Sequence, residues 1–164
     1  VNAQHIKSAD NQYLAPLVAQ QLPKFGVAAP EGEVAMAHLA EVCGLFKDRC
    51  ETTVMLAQWV SLLYVEPDRT TEQYLAEAAQ HLTAAVTPAL ALVRTKLSAL
   101  PDEAWNKAGI ASAIKETLTE TGLKMPQLAM PMRVLVAGRA QTPAVDAMLA
   151  LFDKKKVLER LQTQ

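Results

Sequence analysis

Apolar positions recur along this 164-residue chain at helical spacing, and no stretch sustains the alternation of a strand. Asp10 or Ser8 can cap a first helix through Tyr13, Leu14, Leu17 and Val18 toward Leu22, closed by Pro23 and Gly26. After a Pro30–Gly32 turn, Val34, Ala37, His38, Glu41 and Leu45 trace one face of a second helix, over about 33–46. Residues 47–50 either extend that helix or break it. From Thr53 to Tyr64 the chain is strongly apolar, with Met55, Leu56, Trp59, Val60, Leu62 and Leu63, the pattern of a buried helix. VEPDRTT (65–71) then turns polar around Pro67, and Thr70 with Gln73 makes a T-x-x-Q capping box. This is the best place for a boundary, giving domains 1–66 and 67–164.

Beyond the boundary, one helix runs through Tyr74, Leu75, Ala78, Ala79 and Leu82, and another from about Pro88 to Leu97. The turn SALPDEAWN leads into the most clearly amphipathic helix, with Ile110, Ala113, Ile114, Thr117 and Leu118 on one face and Gly122 at its end. VLVA (134–137) has β-propensity but no partner strand, so it belongs to a helix from near Pro126 to Gly138, in which Pro131 fits only near the first turn. Thr142 as N-cap with Pro143 at the first helical position opens a helix to about Phe152, and a basic helix at roughly 154–162 follows. The fold class is all-α: two small helical subdomains, each a cage or bundle.

Composition agrees, being rich in Ala and Leu with few aromatics. The net charge of −1 conceals an asymmetry: residues 1–85 carry 5 Lys/Arg against 10 Asp/Glu, and residues 86–164 carry 11 against 7. The basic half suits a polyanion. Two cysteines make no disulfide framework, which points to a reducing, cytoplasmic setting. No apolar run approaches the ~20 residues of a membrane span, and VNAQHIKSAD lacks a signal-peptide pattern. Val1 in place of an initiator Met suggests a piece of something longer.

Catalytic chemistry finds little purchase. Cys43 and Cys50 stand seven apart, and His5, His38 and His81 are scattered, so no metal set is spaced for ligation and both thiols read as packed residues. The six glycines build neither phosphate-loop signature, and G-x-S-x-G is absent. Acidic pairs such as Asp102–Glu103 suit a helix start. No catalytic residue is assigned. Lys154, Lys155 and Lys156 form either a solvated helix face or a backbone contact to a polyanion. Trp59 and Trp105 read as core aromatics. PMRVLVAGRAQTP places Arg133, Gly138, Arg139 and a helix start within a few residues, a tight helix–helix corner or a cradle for single-stranded nucleic acid.

In combination these pieces resemble the C-terminal, anticodon-binding region of bacterial-type glutamyl-tRNA synthetases. The resemblance runs through VNAQHIKSADNQYLAPLV, KDRCET, the block WNKAGIASAIKETLTETGLKMPQLAMPMRVLVAGRAQTP and the ending LFDKKKVLERL, in the family's order. Phe152–Asp153 departs from the family's usual Leu-Gly, and Val145 from a larger leucine.

The resemblance implies an all-helical tRNA-binding module of a class I ligase, monomeric, whose ATP- and Mg-using catalytic core is absent from these residues. It implies that the partner is the anticodon loop of glutamate tRNA, with no DNA or membrane partner and no cofactor on this piece. By the family's motifs, Arg49 reads the third anticodon base, while Arg133, Thr142, Pro143 and Val145 line the pocket for the other two. Lys47, Arg139, Lys154, Lys155 and Lys156 are the candidates for the RNA backbone. A helical protein-interaction module is the alternative function, and a small helical enzyme, lacking any catalytic constellation, the third.

Overall fold

The computed structural model describes Ile6 and residues 8–162. His5 lies outside the described residues. Nine α-helices make up the regular structure there, with three 3₁₀ turns and no strand. The chain divides into two compact units, Val1–Val65 and Glu66–Gln164.

The first unit packs three helices on one another: α1 (Asn11–Gln21), α2 (Glu33–Phe46) and α3 (Thr53–Ser61). Asp10 is the N-cap of α1, its carboxylate accepting from the Gln12 amide at 2.7 Å. A 3₁₀ turn, Leu22–Phe25, and Gly26 at φ 81° end it. Leu14, Val18 and Leu22 are buried, as their spacing requires, whereas Tyr13 is exposed. In α2 the expected face is the wrong one. Leu39, Val42, Cys43 and Phe46 fill the core, and Val34 is 86% exposed. The helix is so rich in Ala and aliphatic residues that two stripes compete, and only packing on α1 and α3 selects between them. Helix α3 ends at Ser61, and Met55 and Tyr64 are exposed rather than buried.

The second unit holds α4 (Glu72–His81), α5 (Thr87–Ala99), α6 (Lys107–Thr121), α7 (Met125–Ala137), α8 (Val145–Leu151) and α9 (Lys154–Arg160). VLVA lies in α7, helical as assigned. Gly122 and Gly138 adopt left-handed φ of 75° and 79° and end α6 and α7, a conformation that a side chain disfavours. Pro131 lies well inside α7, buried, where it removes one helical hydrogen bond. Two caps differ from the sequence expectation. The N-cap of α4 is Thr71, whose hydroxyl accepts from the Tyr74 amide at 3.1 Å, because Asp68 takes both the amide and the hydroxyl of Thr70. Helix α8 begins at Val145 after Ala144, because Thr142 donates its hydroxyl to the Pro143 carbonyl at 2.8 Å and caps nothing.

Candidate nucleic-acid interface

KDRCET folds into a short, closely tied turn in the first unit. Lys47–Arg49 form a 3₁₀ turn that continues from α2, Cys50 is extended, and Thr52 starts α3 by accepting from the Met55 amide at 3.1 Å. Cys50 is buried, and its thiol donates to the Phe46 carbonyl at 3.4 Å. Trp59 stacks on Phe46 beneath the turn, ring centroids 5.1 Å apart. Arg49 points outward and is exposed. Lys47 differs: its ammonium donates to the Ala9 carbonyl at 3.0 Å, so it ties the turn to the chain before α1.

Cys43 is buried beside this turn and is a free thiol, as is Cys50. Burial, and then the nearby Cys50, pushes the Cys43 thiol up to about 12. Neither thiol is poised for nucleophilic work. They pack, as their surroundings in the sequence suggest.

The second group of candidates sits in the second unit, on α7 and the connection to α8. Arg133 is half-buried on α7 and its guanidinium approaches the Met130 sulfur at 3.7 Å. Arg139 is half-buried in the loop after Gly138. Thr142, Pro143 and Val145 are buried, Thr142 to 4% and Val145 to 1% exposure, so their side chains set the course of the loop from within. At the α8 N-terminus the Asp146 carboxylate accepts from the Ala147 amide at 2.8 Å. Of the terminal lysines, Lys155 is exposed, Lys156 is half-buried, and Lys154 donates to the Leu100 carbonyl at the end of α5.

Several arginines that sequence reasoning left without a role hold this unit together. Arg69 Nη2 donates to Leu135 O at 3.2 Å and to Arg160 O at 3.0 Å. Arg160, only 1% exposed, donates from Nη1 to Val136 O at 3.1 Å and lies over the Phe152 ring at 5.3 Å. Burial lowers its guanidinium from the ordinary value. Arg94 Nε donates to Leu158 O at 2.8 Å. These bonds join residues far apart in sequence, so no local spacing announces them.

A family model of the anticodon binding domain matches residues 13–164. The chain is 52% identical over 163 residues to a glutamate–tRNA ligase of Leptothrix cholodnii, covering 99% of this chain and 33% of that protein. It is 48% identical over 164 residues to the glutamate–tRNA ligase of Albidiferax ferrireducens, covering 100% of this chain and 33% of that protein. The chain thus spans about a third of the length of the curated relatives it matches. A crystal structure of a glutamate tRNA ligase from Elizabethkingia meningosepticum, in complex with its amino acid, shares the fold at TM-score 0.81 and 17% identity, over 98% of this chain and 30% of that one.

Proposed function

The chain belongs to the anticodon-binding domain family, matching glutamate–tRNA ligases over nearly its whole length, and from that premise we propose that it binds the anticodon loop of glutamate tRNA. In this reading it positions the tRNA, as one monomeric cytoplasmic chain, for ATP- and Mg-dependent glutamylation by a catalytic part outside these residues, and it turns over no substrate itself. The observation that supports it most is Arg49, exposed at the tip of a turn held by Cys50, Lys47 and Thr52.

The chemistry of that side chain suits the role. Anticodon bases are unstacked and are read on their pairing edges. Arginine carries donors only. Cytosine offers N3 and O2 as acceptors, whereas guanine presents the donors N1–H and N2–H₂. Arg49 therefore favours C at the third position, where glutamate and glutamine anticodons differ as C against G. Arg133 and Arg139 serve the loop from the second unit, with Thr142, Pro143 and Val145 shaping the segment that presents them, and Lys155 and Lys156 serve the phosphates.

Fluorescence anisotropy with two RNA stem-loops, ending the anticodon in C or in G, tests this. The expected preference for C is about tenfold or more, since each buried unpaired donor costs about 1–3 kcal/mol. Arg49→Gln, which carries both donor and acceptor, is expected to lose most of the preference. Equal affinity of the parent chain for both loops, or undiminished preference in the variant, refutes the assignment of Arg49. Binding to neither loop refutes the anticodon reading as a whole.

A further inference from the structure

Helix α7 ends at Ala137, where the loop that carries Arg139 begins, and two of its last carbonyls are held by side chains from distant parts of the second unit. Val134 O accepts from the Gly138 amide at 2.9 Å, Leu135 O from Arg69 at 3.2 Å and Val136 O from Arg160 at 3.1 Å. A helix C-terminus leaves such carbonyls without helical partners and carries partial negative charge, so a guanidinium is favoured there on both counts. Arg69 does more than cap. Its Nη2 also reaches Arg160 O, the last residue of α9, so one nitrogen joins the ends of two helices.

The same clamp touches the loop itself. The Arg69 guanidinium lies over the Tyr74 ring at 5.9 Å, and Tyr74 packs in one small core with Val134 and the loop residue Ala140. Pro67 lies so close to Gly138 that a Cβ there would stand 2.7 Å from the proline Cβ. Residues 67–74 thus form a backing on which the end of α7 and the first residues of the loop rest.

We propose that Arg69, seconded by Arg160, is a positioning residue for RNA recognition: it fixes the end of α7 and so the course of the loop from Gly138 to Ala144. This rests on the anticodon reading for its functional consequence. Loss of the clamp leaves the helices folded and lets the loop wander, which weakens recognition of the correct loop more than general attraction to RNA.

The test uses the whole 164-residue chain with Arg69→Ala, Arg69→Lys and a control, Leu97→Ala, which removes a fully buried side chain of α5 outside the clamp. Affinity is measured for the stem-loop with the glutamate anticodon and for one altered at its first two bases, and amide hydrogen exchange is followed at residues 136–142. Arg69→Ala is expected to bind the correct loop about tenfold more weakly, corresponding to about 1.4 kcal/mol, with little change for the altered loop. Its exchange is expected to quicken locally at 136–142. Arg69→Lys should recover part of both effects, and Leu97→Ala should show neither, even with a lowered melting temperature. Unchanged exchange and discrimination in Arg69→Ala overturn the proposal, as does an equal loss in Leu97→Ala. If the parent chain binds no RNA, the anticodon reading fails. Exchange at 136–142 then still decides whether the clamp fixes the loop.

Discussion

Cys43 and Arg49 stand six residues apart and have opposite fates, because α2 ends between them. Cys43 faces the core, where its thiol is pushed up to about 12, and Arg49 leaves the core on a 3₁₀ turn. The folded-state thiol value lies above the ordinary 9.0, so the protonated form contributes its full stability below pH 9 and loses it as pH rises toward 12. The melting temperature of the parent chain, compared with Cys43→Ala, is therefore expected to fall faster above pH 9, narrowing the gap between them. Parallel pH curves would contradict this. Native protein at neutral pH should also resist a thiol reagent at both cysteines until it unfolds, given their burial. Cys50 is not merely filler in this picture. Its bond to Phe46 O holds the backbone next to Arg49 and so helps to aim the arginine.

At the scale of elements, helix ends decide where the candidate residues lie. Thr71→Ala is expected to destabilise the second unit by about 1 kcal/mol, the usual worth of an N-cap hydroxyl. Thr70→Ala should act instead through Asp68. The hydrogen bonds from Thr70 lower the Asp68 carboxyl from its ordinary value, so their contribution is present above the ordinary aspartate range, about 4, and is lost as pH falls through the lower folded-state value. Denaturation at pH 7 and at pH 3 separates the two threonines: the Thr71→Ala cost persists in acid, and the Thr70→Ala cost shrinks. The sequence alone points to Thr70 because a capping box is a local pattern, and Asp68 competes for that threonine only once the turn has formed. The same holds for Thr142, whose hydroxyl turns to the Pro143 carbonyl and defers the helix to Val145. Helices with one apolar stripe, such as α6, are legible from periodicity, and so are the glycine ends of α6 and α7. The buried face of α2 is less so: Val34, Ala37 and Leu45 also repeat at helical spacing, and only His38 and Glu41 among them mark that stripe as the more polar one. The bond from Arg69 to Leu135 is not legible, since it spans 66 residues and depends on tertiary packing.

At the scale of the whole molecule, the basic excess of the second half overstates the charge available to a polyanion. Arg94, Lys154 and Arg160 have donors committed to backbone carbonyls, and Lys96 sits between Glu116 and Glu120 at 3.5 and 2.7 Å. The cations that face water are fewer, among them Lys107, Lys115, Lys124 and Lys155. Neighbouring lysines in one run should therefore behave differently. Lys154→Gln removes the donor that closes the end of α5 at Leu100, so its expected effect is a lower melting temperature with little change in the salt dependence of RNA binding. Lys155→Gln removes an exposed charge, and its melting temperature should stay near that of the parent, as for most surface substitutions. A charge that meets a phosphate releases a counterion, so Lys155→Gln should reduce the slope of log affinity against log salt by just under one. Measured side by side with the glutamate stem-loop, the two variants separate a lysine that holds the fold from one that meets the RNA. Identical slopes for parent and Lys155→Gln would remove Lys155 from the interface. They would leave the exposed lysines of α6 and the α6–α7 link, Lys107, Lys115 and Lys124, as the cations to test next.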